Sequence, residues 1–360
     1  MSEENEFAAA VRDLLQARYG GIQQRNAVSD SEIGYSEEVW NQLAEMGVQG
    51  LPFAEEYGGL GEGVETLAAV LAEVGRVLAP EPLFDGVFLP GFLVERLGTA
   101  EQKKRLISGL AEGTLKMALA HEEYGSRWPD IKVDTRAAGG TLTGTKFPVI
   151  AGPSADVMLV SAKQENGKLG LFLVEASAAT VIPFVTNDER RGAEVKLDGA
   201  AAELLGTGDD VDVALADAYV YAQILTAAEL VGSLRAGLKI TVDYLKQRIQ
   251  FEKPLWVNQA LQHRASDIFM HNELTANIVE HGVEALANGQ FDSRLASQIK
   301  LQLGRAGTFA SEQFVQMHGG IGITFEYPIS HYLSRTVAVT RSFGATEDHL
   351  RVLAQGITAE

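Results

Sequence analysis

Two short segments beside predicted helices carry residues that can hold a phosphorylated, flat ligand. The first contains Arg248 and Phe251 and lies between two long helical stretches. A guanidinium can pair with a pyrophosphate through parallel hydrogen bonds, and an aromatic ring can pack on a flat heterocycle. Taken alone, the segment is equally compatible with a polar connection between two helices.

The second segment is QMHGGIG, Gln316–Gly322, at the end of another predicted helix. The paired Gly319 and Gly320 let the backbone approach a ligand closely, and free N–H groups there suit phosphate. A glycine that simply ends the helix is the alternative. Neither segment is specific by itself.

In this order, the two segments resemble the acyl-CoA dehydrogenase family. That family carries R-x-Q-F-G-x-P-[IL]-x-x-F-Q-x-x-x-H, followed by Q-x-H-G-G-x-G. The first pattern is matched by Arg248, Gln250, Phe251, Pro254, Leu255, Gln259 and His263, and the second by Gln316, His318, Gly319, Gly320 and Gly322. The usual continuation is matched by Glu326, Pro328, His331 and Arg335. The chain departs at Glu252, where Gly is usual, and at Asn258, where Phe is usual.

In that family FAD lies extended at a subunit interface, with its flavin on the barrel of one subunit and its adenine and pyrophosphate against a neighbour. The resemblance therefore implies that this chain binds the FAD of an adjoining chain. The implied cofactor contacts are Arg248, Phe251, Gln316, Gly319, Gly320, Ser126 and Thr346. It also implies a homo- or hetero-oligomer, as a dimer or an α2β2 tetramer.

The barrel loop that hydrogen-bonds the flavin is less well matched. The family has T-E-P-x-x-G-S-D, and this chain has the shorter HEEYGSR, with His121 at the Thr and Glu123 at the Pro. Glu122, Gly125 and Ser126 are kept, and a later family pattern is partly kept in Lys146, Ile150, Ala155 and Asp156. A barrel loop with a leftover Gly-Ser turn is the alternative to a flavin contact.

The usual catalytic base is missing. In the family a carboxylate removes the proton α to a thioester, and a hydride leaves the β carbon for the flavin. When FGATEDHLR is aligned on Thr346 and Arg351 with the family's Y-E-G-T segment, Gly344 stands at the Glu. Some members carry the Glu on the first bundle helix instead, and that position is Ala222. Neither residue can accept a proton.

Three other carboxylates are candidates for a replacement base. Glu347 and Asp348 follow Thr346 and are expected to face FAD or solvent. Glu229 lies in the apolar stretch TAAELVG, where burial would raise its pKa. A structural hydrogen bond inside the bundle is the alternative for Glu229.

The elements that would position these residues fall into three zones. We predict an α+β protein with a helical domain over 1–113, an antiparallel β-barrel over 114–208 and a four-helix bundle over 209–360. Asn166-Gly167 is a hairpin signal within the barrel. The bundle helices are predicted at Ala214–Arg248, Gln259–Ala287, Ser293–His318 and Thr346–Gln355.

Composition excludes several classes of protein. The 360 residues contain no cysteine, which excludes disulfides and thiolate sites, and the seven histidines lack the spacing of a metal site. A formal charge of −18 argues against nucleic acid as a partner. The N-terminal MSEENEF has no leader pattern and no long apolar run is present, so we expect a cytoplasmic protein without a membrane span.

Three hypotheses remain from the sequence. The first is a subunit of a heteromeric, steroid-degradation-type acyl-CoA dehydrogenase, in which a partner supplies the base and an electron-transfer flavoprotein or similar protein accepts electrons. The second is a self-sufficient homomeric dehydrogenase with an unusual base. The same fold also serves flavin monooxygenases and nitroalkane oxidation. The third is a scaffold or regulator without activity.

Overall fold

A computed structural model of the chain describes residues 5–358, with side chains up to residue 356. The first four residues, on which the expectation about a leader partly rests, lie outside this range. Helices precede and follow a central sheet. The first group is α1 (Glu6–Tyr19), α2 (Ile22–Ser29), α3 (Glu37–Glu45), α4 (Val64–Val77), α5 (Leu89–Leu97) and α6 (Ala100–Ala111). The second is α7 (Asp209–Gln247), α8 (Gln259–Ala287), α9 (Ser293–His318), α10 (Pro328–Arg341) and α11 (Thr346–Thr358).

The helices of the second group agree closely with the sequence prediction. The bounds predicted for α8 and α9 are confirmed. Helix α7 begins earlier than expected, at Asp209, because acidic residues in its first turn favour a helix N-terminus. The predicted α+β class and the order of helices, strands and helices are confirmed.

The sheet is mixed, which corrects the prediction of a purely antiparallel barrel. Its strands are β1 (Met117–Ala120), β2 (Arg136–Ala138), β3 (Thr141–Ile150), β4 (Val157–Lys163), β5 (Leu169–Glu175), β6 (Thr180–Val185), β7 (Arg191–Ala201) and β8 (Glu203–Thr207). The order is β6-β7-β3-β2-β4-β5-β8, and β1 pairs with β4. Both β1 and β2 run parallel to β4. Parallel neighbours need a long crossover, and β2 and β3 lie in the segment between β1 and β4.

The described residues form two compact units. The first contains Val64–Ala79 and the described parts of Met1–Ala27 and Gln223–Glu360. The second contains Val28–Gly63 and Pro80–Ala222 and includes the sheet. The boundary falls inside α7, and the division into three domains stays a prediction.

Within the first unit, α4 and α7 approach so closely that glycine is required on both helices. A Cβ on Gly75 would lie 1.9 Å from the carbonyl oxygen of Glu229, and one on Gly232 would lie 1.9 Å from that of Ala72. The contact places the side chain of Glu229 inside the helical core, where it is buried.

One helix among the described residues, α7, is long and apolar enough to cross a membrane. Its most apolar stretch is 78% buried inside the protein. Such burial is typical of a core helix, because a lipid-facing helix would expose that stretch.

Candidate functional site

The Arg248 segment forms a short hairpin after α7. Strand β9 (Ile249–Gln250) pairs antiparallel with β10 (Lys253–Pro254). The turn residues Phe251 and Glu252 have φ of 51° and 65°, the left-handed conformation of a type I′ turn. Phe251 is 96% exposed. The hairpin therefore holds a phenyl ring in solvent on backbone that is strained for non-glycine residues.

Two polar side chains at this end of the first unit are available to a ligand. The guanidinium of Arg248 is exposed and makes no hydrogen bond to any residue of the described range. The amide of Gln316 is likewise exposed and, within residues 5–358, hydrogen-bonds nothing. Both can bind a cofactor or a second chain without breaking an existing contact.

The glycine pair opens the backbone to solvent where α9 ends. Gly319 has a φ of 64°, which favours glycine. A Cβ built on Gly319 or Gly320 would meet nothing within 4 Å. The turn therefore leaves open space in which a ligand can reach the backbone.

Tyr244 joins the hairpin to the glycine turn. Its carbonyl oxygen accepts a hydrogen bond from the Arg248 N–H at 2.8 Å, and its hydroxyl donates to the His318 carbonyl oxygen at 3.3 Å. Its ring stacks on that of His318, with centroids 4.4 Å apart. The two segments, distant in sequence, are thus brought together in one place.

The imidazole of His318 is buried behind the glycine turn. Its Nδ1 donates to the carbonyl oxygen of Phe314 at 2.8 Å. Burial lowers the pKa of His318, which keeps the ring neutral at physiological pH. Its Nε2 is buried without a hydrogen-bond partner in the described part of the chain.

In the second unit, a buried ion pair stands at the altered barrel loop. The fully buried Lys146 Nζ donates to Glu123 Oε1 at 2.7 Å, to Ser161 Oγ at 3.1 Å and to the His121 carbonyl oxygen at 3.2 Å. Burial lowers the pKa of Lys146 to about 8. Burial also raises the pKa of Glu123, but hydrogen bonds from Lys146 and Thr135 outweigh it and leave that pKa below its ordinary value.

The loop at 342–345 contains Gly344, a predicted position of the family's base, and two buried side chains hydrogen-bond the backbone in and beside it. Lys300 Nζ donates to the carbonyl oxygens of Val339 at 2.7 Å and Ser342 at 2.8 Å. Gln223 Nε2 donates to the Phe343 carbonyl oxygen at 2.9 Å. Lys300 thereby also caps the C-terminal end of α10 by hydrogen-bonding its last carbonyl groups.

Glu229 forms a buried ion pair with Arg335. The guanidinium Nη1 lies 2.6 Å from Glu229 Oε1, and the two side chains are 4% and 8% exposed, in the order Arg335 and Glu229. This arrangement supports the structural alternative for Glu229, because a carboxylate held by a buried guanidinium is a poor proton acceptor.

Known proteins resemble this chain over nearly its whole length. The family model for the acyl-CoA dehydrogenase N-terminal domain matches residues 1–114, and the model for the C-terminal domain matches residues 215–358. Acyl-CoA dehydrogenase IpdE2 of Mycolicibacterium smegmatis is 30% identical over 354 residues, which is 98% of each chain.

The chain belongs to the acyl-CoA dehydrogenase family.

Solved structures agree with this membership. The Tcur3481-Tcur3483 steroid ACAD is 30% identical, with a TM-score of 0.89, over 98% of this chain and 97% of that chain. The ChsE4-ChsE5 complex from Mycobacterium tuberculosis has a TM-score of 0.90 at 23% identity, over 100% of this chain and 98% of that one, which shows the fold. The predicted acyl-CoA dehydrogenase fold is confirmed.

Acyl-CoA dehydrogenases are FAD-dependent oxidoreductases, and FAD is the cofactor of this family member. The residues predicted for the adenine side fit the cofactor. Arg248 and Gln316 are exposed with uncommitted polar groups, and Gly319 and Gly320 leave the backbone open. The buried Nε2 of His318 beside them is an acceptor that still lacks a donor.

The flavin end of the dehydrogenase site fits less well, because side chains of the altered loop already contact other residues of the barrel. Tyr124 stacks on Phe147 with centroids 4.4 Å apart, and Phe147 packs against Phe184 at 5.4 Å. Ser126 Oγ already accepts a hydrogen bond from the Lys132 N–H at 2.6 Å. Within residues 114–208, all of which are described, no buried side-chain polar atom lacks a partner.

The two positions predicted for the family's base both lie inside the protein. Gly344 and Ala222 are both buried. Of the replacement candidates, Glu347 is exposed in the first turn of α11. Asp348 is buried, and its Oδ2 accepts a hydrogen bond from the Ala345 N–H at 3.2 Å. Asp348 is thus committed to shaping the start of the helix.

Thr346, the remaining cofactor candidate, is half-buried against α9. A Cβ on Gly304 would lie 2.0 Å from its Oγ1, so a glycine is needed there. The residue packs inside the first unit, and its contact with FAD stays a prediction.

A cavity of about 590 Å³ lies within the second unit. It is lined by His121, Trp128, Pro129, Ile131, Val133, Lys163, Gly167, Lys168, Leu169, Asp212, Leu215, Ala216 and Tyr219. Its wall is mostly apolar and aromatic, with two lysines at the hairpin between β4 and β5. A cavity of this kind suits a largely apolar ligand that carries some polar groups.

Sequence reasoning did not single out Tyr244, Lys300 or Gln223. The position of Lys300 between Ile299 and Leu301 in α9 was a usable signal, because a lysine on a buried helix face needs carbonyl or carboxylate partners. No comparable signal marks Tyr244 or Gln223, whose roles depend on long-range packing.

Lys300 should make the stability of the chain pH-dependent. Burial lowers its pKa from the ordinary 10.5 to about 7, so between these values the unfolded chain binds more protons than the folded chain. The free energy of unfolding should therefore rise with pH from 7 to 10, by up to about 1.4 kcal/mol per pH unit for one group. Lys146 contributes with the same sign. Urea unfolding at pH 7 and pH 9.5 measures this rise.

The substitution Lys300→Met should reduce the rise. Lys239→Met is the matched control, since the Lys239 side chain is exposed and pairs with Asp243. An unchanged pH dependence in Lys300→Met would show that the amine titrates normally in the folded chain.

Proposed function

We propose that the chain is a subunit of a heteromeric acyl-CoA dehydrogenase that completes the FAD site of a partner chain and supplies no catalytic base. The observation that carries the proposal is a contrast. The adenine-side residues are exposed and uncommitted, whereas Gly344 and Ala222 stand where the family carries its carboxylate.

The residues of the first unit have distinct tasks toward the cofactor. The Arg248 guanidinium pairs with the pyrophosphate, which a planar fork binds through two hydrogen bonds. The exposed Phe251 ring packs on a flat ring of FAD. The Gln316 amide and the open backbone at Gly319 and Gly320 supply further hydrogen bonds. Bound FAD supplies the hydride acceptor for α,β-desaturation.

Removal of the α proton is assigned to a carboxylate of the partner chain. Glycine and alanine cannot take a proton, and Glu229 is held by Arg335. Of the three candidate carboxylates, a homomeric enzyme is left with Glu347, which is exposed. The partner is therefore a related chain that carries the family's Glu, and a dimer or an α2β2 tetramer results.

The substrate is an acyl-CoA, and a bulky steroid-type acyl group is favoured. Support comes from the Tcur3481-Tcur3483 steroid ACAD, which matches nearly the whole chain at 30% identity. The cavity of the second unit offers a mostly apolar wall for such a ligand. We place the enzyme in the cytoplasm, with an electron-transfer flavoprotein or a similar protein as its acceptor.

The test is the flavin content of the full chain, expressed alone and with a related dehydrogenase chain from the neighbouring genes. We expect visible flavin absorbance only in the pair, together with oxidation of an acyl-CoA. Flavin and turnover in the chain alone would support a homomeric enzyme instead. A colourless pair that still assembles would indicate a scaffold.

A further inference from the structure

His121 is the residue that most clearly separates this barrel from the family pattern, and it lines the cavity of the second unit. Its imidazole Nδ1 lies 2.8 Å from Ser161 Oγ. Its Nε2 has no hydrogen-bond partner among the described residues, and the atom keeps some accessible surface. Nε2 therefore faces the cavity.

The neighbouring charge fixes which nitrogen carries the proton. Lys146 Nζ donates to Ser161 Oγ, so the Ser161 hydroxyl proton is free to be donated onward. Donation to His121 Nδ1 at 2.8 Å is favoured over the His121 carbonyl oxygen at 3.5 Å. A nearby cation also favours a lone pair, not an N–H, on the side of the ring that faces it. The neutral ring thus carries its proton on Nε2.

Burial and the charge of Lys146 prevent the ring from gaining a second proton. They lower the pKa of His121 to about 3. Glu123 opposes this shift, but its carboxylate is already bound by Lys146 and Thr135. At physiological pH the cavity therefore receives a neutral N–H donor and no positive charge from this residue.

We infer that His121 is a specificity-determining residue, whose Nε2–H donates a hydrogen bond to a carbonyl oxygen of the ligand in this cavity. The inference rests on the proposed function, since it takes the ligand to be a CoA thioester. An acyl-CoA offers two kinds of carbonyl, the thioester and the pantetheine amides. A neutral donor matches a neutral acceptor such as these.

Three other polar side chains of the cavity wall, those of Tyr219, Lys163 and Lys168, are less suited to this role. The Tyr219 hydroxyl donates to Glu122 Oε1 at 3.0 Å, so its proton is committed. Lys163 and Lys168 are charged, largely exposed, and lie near Asp134 and Asp209 respectively. His121 is a neutral ring that combines a fixed donor with a buried support.

The test compares two probes that differ in one oxygen. Butyryl-CoA carries the thioester carbonyl, and S-butyl-CoA, a thioether, lacks it. Each is titrated by calorimetry into the full chain, as wild type, His121→Phe and His121→Gln. His281→Gln is the matched control, because His281 is exposed on α8.

We expect His121→Phe to weaken butyryl-CoA binding roughly threefold to tenfold, the loss of one hydrogen bond, with partial rescue in His121→Gln. An unchanged S-butyl-CoA affinity would place the bond on the thioester, and an equal loss for both probes would place it on a pantetheine amide. Unchanged binding of both probes, or no binding to the wild type, would overturn the inference.

A second measurement uses only the wild-type chain, so it is independent of whether the variants fold. Nitrogen chemical shifts of the histidine side chains in the wild-type chain should show His121 as a neutral ring with the proton on Nε2. A proton on Nδ1 would overturn the inference as well. Both measurements leave the flavin content untouched, so their failure is distinguishable from failure of the proposed function.

Discussion

Replacing Glu229 by glutamine is expected to lower the free energy of unfolding by about 3–5 kcal/mol. The substitution leaves the guanidinium of Arg335 charged and buried opposite a neutral amide. Taking a charge out of water is costly unless a partner charge compensates it. Close packing of α4 on α7 at Gly75 and Gly232 leaves little room for water to enter and hydrate the guanidinium.

Denaturant unfolding of the wild type and the variant measures this loss. Glu273→Gln is the matched control, because Glu273 pairs with Arg235 on the surface and such pairs contribute about 1 kcal/mol or less. The double substitution Glu229→Leu with Arg335→Met should recover part of the stability, since an apolar pair of similar volume avoids the buried charges.

The same variant also separates structure from catalysis. If Glu229 were a replacement base, Glu229→Gln would abolish turnover in the assembled enzyme and leave stability near that of the wild type. Lost stability with turnover retained per folded molecule would confirm the structural role.

The long helices were predictable because their signals are local. Helix α9 begins after Asp292, whose side chain accepts hydrogen bonds from Arg294 N–H and Leu295 N–H. It ends where Gly319 takes a positive φ. Both signals lie within a few residues of the helix end, so they can be recognised in the local sequence.

The sheet was less predictable because local sequence patterns do not identify which strands pair with each other. The strand residues of β1 and β4 are visible in the sequence, yet their parallel pairing depends on how the intervening segment folds. The buried run VMLVSA of β4 is consistent with a central strand, but it does not name the neighbours. The mixed topology therefore emerged only from the structure.

The candidate site was also predictable only in part: the residue types could be read from the sequence, but their contacts could not. The residues Arg248, Gln316 and Gly319 were predicted as cofactor contacts from their types and order, through the family resemblance. Their proximity depends on Tyr244, which packs on His318 across two helices. The ion pair of Lys146 with Glu123 could not be inferred from a loop pattern, since the partners come from different strands and loops.

The substitution Arg248→Ala in the coexpressed complex is expected to weaken FAD binding by about 10- to 100-fold. Charge-assisted hydrogen bonds contribute about 1.5–3 kcal/mol, and an alanine can no longer supply them to the pyrophosphate. Flavin absorbance after gel filtration, followed by FAD titration of the depleted complex, measures the loss.

Arg235→Ala is the matched control, because Arg235 lies on α7, the helix that precedes Arg248, and pairs with Glu273 on the surface. Arg248→Lys should fall between the two, since an ammonium keeps the charge but loses the two-pronged hydrogen bond. Because the Arg248 side chain is exposed and hydrogen-bonds no other described residue, the chain itself should fold and assemble normally without it. A complex that assembles and keeps its full flavin in Arg248→Ala would therefore remove this residue from the FAD site. Flavin lost without loss of assembly would show that the chain lends its Arg248 to the shared cofactor.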